Sequence, residues 1–323
     1  MRAIVIQQYG GPEQLVVQEL PDPEPMAGHV IIEVKAFGIN HAETHMRKGE
    51  WPEAAKVSGI ECVGLVKACP EGQFALGQKV VALMGGMGRT IDGSYAEYTN
   101  VPAANVAPIE SGLSWEELAA IPESYATAWT CLHRNLELRA GQTLVIRGAT
   151  SALGQAALNI AAQFGAQVAA TIRNPDRISR LRALGAQRVE LEGPDLSRRI
   201  PEPSDTLLDL IGNSTILDSL RMARRGGRVC LAGFLGGLAP IGAFNPLLQM
   251  PSGVEWSFFG SFMFGAPDFP LSDVPLQAIV DRVAAGSYQA KPAQVFRFED
   301  IRESSNDGGE SGQWKIGGAA LNH

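Results

Sequence analysis

Residues 143–166 read TLVIRGATSALGQAALNIAAQFGA, and the order of residue types in this stretch decides the fold. Thr143 to Ile146 is a β-branched and aliphatic run, the pattern of a strand buried on both faces. Gly148 to Gly154 is a tight turn of small residues. From Leu153 the pattern becomes helical, with Ala156, Ala157, Ala161 and Ala162 small enough to let the helix lie close on a sheet. Such a turn suits a phosphate, because small side chains let backbone N–H groups approach it and a helix N-terminus carries partial positive charge. The three-glycine dinucleotide fingerprint is incomplete: three positions before Gly154 stands Ser151, with Gly148 three further back. A strand–turn–helix of small residues also occurs in α/β domains that bind no nucleotide.

Downstream, the run QVAATI ends at Ile172 and is followed by Arg173. An NAD site prefers an acid there for the ribose 2′-hydroxyl, whereas arginine suits a 2′-phosphate, so the implied cofactor is NADPH. The competing reading of Arg173 is a solvated arginine opening the next helix, which is also the reading of Arg177. Strands are expected near 143–147, 167–172, 188–191, 206–210, 228–232 and 255–259, with helices at about 153–164, 175–184 and 214–224. This alternation implies a doubly wound parallel sheet, an α/β class, with ligands bound at the carboxyl edge of its strands. LLDLIGN (207–213) and RVCLAGFLGG (228–237) bring Asn213 and Phe234 to that edge. Either turn can equally be a plain loop or helix start.

Residues 1–110 read differently. Short apolar runs such as VIIEVKAFGI (30–39) and KVVALM (79–84) are separated by Gly, Pro and Asn, which predicts a β-rich region. PDPEP (21–25) and MGGMGRTIDG (84–93) read as turns, the second as a surface loop unless something binds it. At SWEELAAIP the period turns helical, and Ser114 with Glu117 forms a capping box.

The chain has 323 residues, room for two domains, with 45% hydrophobic and 19% charged residues. A net charge of −7 and a pI near 5.4 argue against nucleic acid, since no basic stretch neutralises a phosphate backbone. No apolar run approaches the ~20 residues that cross a bilayer. MRAIVIQQYGG turns polar too early for a signal-peptide core, so a cytoplasmic location is expected. Cys62, Cys69, Cys131 and Cys230 are scattered among apolar neighbours and read as small core residues rather than disulfides.

Five phrases in order carry a family likeness: GINHAETHMRKGEWP (38–52), SGIECVGLV (58–66), DGSYAEYTNVP (92–102), ESYATAW (123–129) and the 143–173 turn with its arginine. Over Met1 to about residue 303 the chain resembles the zinc-free quinone oxidoreductases of the medium-chain dehydrogenase/reductase superfamily, close to the bacterial enzymes and the zeta-crystallins. The resemblance implies a GroES-like catalytic domain (1–120 and 266–323) and a Rossmann NADPH-binding domain (121–265). It implies hydride transfer from the nicotinamide to a quinone or an α,β-unsaturated carbonyl; the alternative is a non-catalytic NADPH sensor or crystallin-like protein on the same fold. The cofactor carries such chemistry, and the protein's part is to hold the acceptor and exclude water.

By the same resemblance Asn40 lies near the nicotinamide, and Thr127 meets its carboxamide. Thr150, Ser151, Ala152, Leu153 and Gly154 border the pyrophosphate, Arg173 takes the 2′-phosphate, and Asn213, Phe234, Phe262 and Phe264 wall the cofactor. The plainer readings are a turn residue for Asn40, a backbone-bonded helix residue for Thr127 and simple core for the phenylalanines. Relatives form homodimers through the edge of the nucleotide domain, where VEWSFFGSFMF (254–264) supplies either such an edge or a buried strand.

Three departures matter. Zinc-dependent relatives place cysteine and histidine where this chain has Asn40 and Ile60, and no four-cysteine lobe follows. A tetrahedral site needs N, S or O ligands at about 2.0–2.3 Å, so neither catalytic nor structural zinc is expected. His45 stands where relatives usually carry tyrosine, between Glu43 and Arg47. It reads either as an acceptor contact or proton donor or as a half-exposed loop histidine, with Glu43 and Arg47 a structural pair away from the chemistry. Enoyl-thioester reductases use a tyrosine acid in this region, and its absence counts against that activity. Finally, residues 304–323, SSNDGGESGQWKIGGAALNH, lack the amphipathic helix and Gly-Lys-Ile-Val strand of relatives. The expectation is a frayed terminus and a less stable first domain. The other reading is a shifted frame: with suitable codons, residues 304–315 read one nucleotide along spell AQTMEANQANGK, and the gene sequence decides.

Overall fold

Alternating and continuous apolar runs of the first hundred residues form β1 (Arg2–Ile6), β2 (Leu15–Glu19), β3 (His29–Ala36), β4 (Glu61–Ala68), β5 (Lys79–Leu83), β6 (Tyr98–Pro102) and β7 (Val106–Pro108) in the computed structural model. The structure describes residues 1–51, 53–304 and 319–320, so the expectations for the C-terminal tail lie outside the described residues. The chain divides into two units, Met1–Ala126 with the described residues from Ser261 on, and Thr127–Gly260.

In the first unit β3 to β7 form a five-stranded antiparallel sheet of order β6-β3-β4-β5-β7, beside the antiparallel pair β1-β2. Ile4, Val30, Ile32, Val34, Phe37, Val80 and Val101 fill its core without exposed surface. Between β3 and β4 runs helix α1 (His41–Lys48), ended by Gly49 in the left-handed conformation. Helices α2 (Trp115–Ala119) and α3 (Pro122–Thr130) follow, and Ser114 and Glu117 make the expected capping box. The glycine-dense stretch 84–93 is not a plain surface loop. Met87 and Gly88 are buried, and the Met84 N–H donates to the Ile60 carbonyl at 2.7 Å. Packing against the end of β4 uses the small residues that had suggested exposure.

The second unit is a Rossmann fold. Its strands are β8 (Thr143–Arg147), β9 (Gln167–Ile172), β10 (Arg188–Leu191), β11 (Ser204–Asp209), β12 (Ala223–Leu231) and β13 (Glu255–Phe258). They form one parallel sheet of order β10-β9-β8-β11-β12-β13, in which β8 and β11 are adjacent at the reversal of strand order. Helix α4 (Ala152–Gln163) lies on the sheet, with Ala156, Ala157 and Ala161 buried. After α5 (Ile178–Ala183) come α6 (Leu196–Arg199) and α7 (Ile216–Met222). The helix expected to reach residue 224 ends at Met222, because Ala223 already pairs with Ser204 in the sheet. The 254–264 run is not a buried strand: β13 is the outermost strand, and Glu255 and Phe258 are exposed. Cys62, Cys131 and Cys230 are buried, Cys69 is half-buried, and all four are free thiols. Among the described residues no helix is long and apolar enough to cross a membrane.

Candidate functional site

In the first unit Asn40 is the N-cap of α1, and its surroundings are carboxylates. Its backbone N–H donates to Glu43 Oε2 at 2.7 Å, and its Nδ2 donates to Glu61 Oε1 at 2.9 Å. Glu61 Oε2 accepts the Glu123 N–H at 2.8 Å. Glu43 also accepts the Ile60 N–H at 3.0 Å and the Tyr95 hydroxyl at 2.5 Å. Gly38 permits this approach, since a Cβ there would stand 2.2 Å from Glu61 Oε1. Burial pushes the Glu43 carboxyl up to about 7 and that of Glu61 up to about 8, the nearby Glu123 adding to the latter. Glu43 is therefore bonded directly to Asn40 rather than standing apart from it. Arg47, one helical turn on, donates to the Gly10 carbonyl at 2.6 Å.

His45 is not a half-exposed loop residue. It is helical and 7% exposed, because α1 continues through it to Lys48. Its Nδ1 meets Glu50 Oε2, its ring lies edge-on to His41 at 4.7 Å, and its buried Nε2 has no hydrogen-bond partner among the described residues. Phe262 is 42% exposed and lies 5.0 Å from the Arg89 guanidinium. Phe264 is buried, and its carbonyl accepts from Asn105 Nδ2 at 2.8 Å.

In the second unit the turn after β8 is held from within. Ser151 caps α4 by accepting the Gly154 N–H on Oγ at 3.1 Å, and its own hydroxyl donates to the Gly148 carbonyl at 2.9 Å. A Cβ on Gly154 would stand 2.5 Å from that same carbonyl, so helix and turn touch backbone to backbone. Ala152 and Leu153 are the first two helical residues, whose N–H groups have no acceptor within the helix. Thr150 is half-buried beside them, and its carbonyl accepts from Gln155. Arg173 follows β9 and is exposed. Thr127 is buried on α3.

Asp209, fully buried at the end of β11, accepts the N–H groups of Ile211 and Gly212 and the hydroxyls of Thr215 and Ser219. It thereby fixes the turn carrying Asn213, whose Nδ2 donates to the Ala239 carbonyl at 2.8 Å. Phe234 packs against Phe258 with ring centroids 6.0 Å apart. Beneath these turns lies Arg147, 1% exposed, bonded to Glu192 and Asp218. Sequence reasoning passed over Glu61 and Arg147. The signal was present in both: a charged residue that stands at the end of an apolar strand and is buried with it has to be paired.

Residues 26–111 match the family described as Alcohol dehydrogenase GroES-like domain, and residues 152–276 match Zinc-binding dehydrogenase. The quinone oxidoreductase of Lama guanicoe is 28% identical, the alignment covering 96% of each chain. A crystal structure of an NAD-dependent alcohol dehydrogenase, 28% identical, superposes with a TM-score of 0.82 over 100% of both chains. Escherichia coli quinone oxidoreductase in complex with NADPH, 21% identical, gives a TM-score of 0.84 over 99% of each. The chain belongs to the medium-chain dehydrogenase/reductase superfamily of oxidoreductases and resembles its quinone oxidoreductases.

Proposed function

We propose that the protein is an NADPH-dependent reductase of quinones or α,β-unsaturated carbonyls that works without a metal. The observation that carries this reading is the α4 terminus: two N–H groups free of helical partners, behind a turn of small residues, with the exposed Arg173 at the end of the adjacent strand. That arrangement fits a pyrophosphate and a 2′-phosphate. A reduced nicotinamide, when bound, supplies a hydride to the acceptor. Ala152, Leu153 and the Ser151-capped turn would bind the diphosphate, with Thr150 and Gly154 bordering it and Asn213 and Phe234 lining the same strand edge. Thr127, Phe262 and Phe264 are assigned to the nicotinamide end. Asn40, with one Nδ2 N–H given to Glu61, is assigned to the ribose or carboxamide. The unpartnered Nε2 of His45 is assigned to the acceptor oxygen.

A zinc does not fit these side chains. Asn40 and the apolar Ile60 occupy the places of two expected ligands, and burial holds the Cys62 thiol protonated. Among the described residues no three His, Cys, Asp or Glu side chains gather as a metal group would need.

The test is loss of reduced-nicotinamide absorbance with NADPH or NADH against a panel of small quinones and enones, with Arg173→Ala run beside the wild type. Quinone-dependent oxidation of NADPH that the substitution weakens through KM is the expected result. NADPH binding without turnover on any acceptor overturns the enzyme reading in favour of a sensor. Equal use of NADH overturns the assignment of Arg173.

A further inference from the structure

Glu192 poses a problem for a 2′-phosphate site. Its N–H donates to the Ile172 carbonyl at 2.7 Å, and Leu191 pairs with Ile172, so it stands beside Arg173 at the carboxyl edge of the sheet. A carboxylate at that edge accepts from a ribose 2′-hydroxyl and repels a 2′-phosphate. Its two oxygens are, however, already occupied. Oε1 takes Arg147 Nη2 and the Gly193 N–H, and Oε2 takes Arg147 Nε at 3.3 Å and the Thr171 hydroxyl at 2.7 Å. Four donors fill the roughly four lone-pair positions of a carboxylate, leaving none for a ribose. The Glu192 side chain is only 9% exposed, and the guanidinium facing it is 1% exposed and held charged by its acidic neighbours. Arg147 also donates to Asp218 Oδ2 at 3.0 Å, Ser219 Oγ at 3.2 Å and the Thr215 carbonyl at 3.4 Å. Thr171 in turn accepts the Gly148 N–H at 3.1 Å, so the same network reaches the first residue of the phosphate turn.

We infer that Arg147 is a specificity-determining positioning residue: by turning Glu192 inward and neutralising it, Arg147 admits a 2′-phosphate beside Arg173 and denies a 2′-hydroxyl its acidic partner. The inference deepens the cofactor reading above and rests on it. Arg147 touches no cofactor itself and acts through Glu192.

The experiment is calorimetric titration of the whole protein with adenosine 2′,5′-bisphosphate and with AMP, in the wild type, Arg147→Met and the double variant Arg147→Met/Glu192→Gln. Arg147→Met releases a carboxylate, and the affinity ratio of the bisphosphate over AMP is expected to fall about tenfold or more, as for juxtaposed like charges. Removing that carboxylate as well restores the ratio, which a merely structural role of Arg147 does not predict. An unchanged ratio in a folded Arg147→Met protein, or a fallen ratio that the double variant fails to restore, overturns the inference. Should Arg147→Met not fold, Arg147→Gln is read in the same way. The wild type alone tests the cofactor reading: no preference for the bisphosphate overturns that reading, whereas the inference turns only on the change between wild type and variant.

Discussion

Asn40 is gripped by two buried carboxyl groups, and that grip has a pH dependence. Glu43 is moved up to about 7 and Glu61 up to about 8 by burial, against an ordinary value near ~4.3 for an unfolded chain. Between these limits the folded protein holds protons that the unfolded chain has released. Stability is therefore greatest below the unfolded value and declines as pH rises through the folded values. The melting temperature is expected to fall steadily from about pH 5 to pH 8, with each unit of difference worth about 1.4 kcal/mol per group. Glu61→Gln has no proton to lose at that position, so its melting temperature falls less steeply over the same range. A slope equal to the wild type's in a calorimetric pH series refutes the assignment. A second residue-scale prediction concerns His45: His45→Phe keeps an aromatic ring but removes both nitrogens, Nδ1 with its Glu50 contact and the unpartnered Nε2, and turnover with quinone is expected to drop while NADPH affinity is retained. Unchanged turnover removes His45 from the acceptor site. Asn40 and His45 stand out in the sequence because they lie in a phrase with a family likeness. Glu61 does not, because sequence periodicity marks a strand as buried without saying what a buried carboxylate touches.

At the scale of elements, α4 and the turn before it are the part most fully legible. A β-branched run, a glycine turn and an alanine-rich helix each have one dominant local preference, and these agree. Two substitutions separate capping from packing. Ser151→Ala removes the acceptor for the Gly154 N–H and is expected to cost about 1 kcal/mol. Gly154→Ala places a methyl 2.5 Å from the Gly148 carbonyl and 2.7 Å from Ala149 Cα. Neither contact is with a flexible side chain, so the turn itself must move, at about 1–3 kcal/mol. Gly154→Ala is thus expected to lower the melting temperature by a few degrees and to weaken NADPH binding more than Ser151→Ala does. Thermal melts and cofactor titrations of both variants check the order, and the reverse order places the pyrophosphate elsewhere. Less legible were elements that depend on distant partners. The single turn α6 is too short to show a period, and it follows Asp195 in the left-handed conformation. Strand β12 claims Ala223 from the preceding helix because Ser204 offers it a pairing partner, while the neighbouring Arg224 bonds Asp205 at 2.6 Å. Both outcomes are tertiary decisions that no window of local sequence contains.

For the molecule as a whole the β13 edge of the Rossmann sheet is the feature that bears on assembly. Among the described strands β13 ends the sheet and pairs with β12. Phe258 on this strand is 51% exposed, and nearby in sequence Leu247 and Leu248 are 88% and 79% exposed. A sheet-edge strand with exposed apolar side chains invites another strand, and natural proteins normally blunt such an edge with charge, proline or a bulge. Strand β13 carries Glu255 at its start and no other charge. A second copy of the chain is the partner proposed, its β13 joining this one across a two-fold axis so that each copy covers the same surface on the other. Light scattering coupled to size exclusion is then expected to return twice the 34.4 kDa chain mass. Phe258→Lys puts a charge on the exposed edge without disturbing the β12 ladder and is expected to shift the protein to the single-chain mass with its fold retained. A wild type that runs at 34.4 kDa, or a dimer indifferent to Phe258→Lys, assigns that edge no part in assembly.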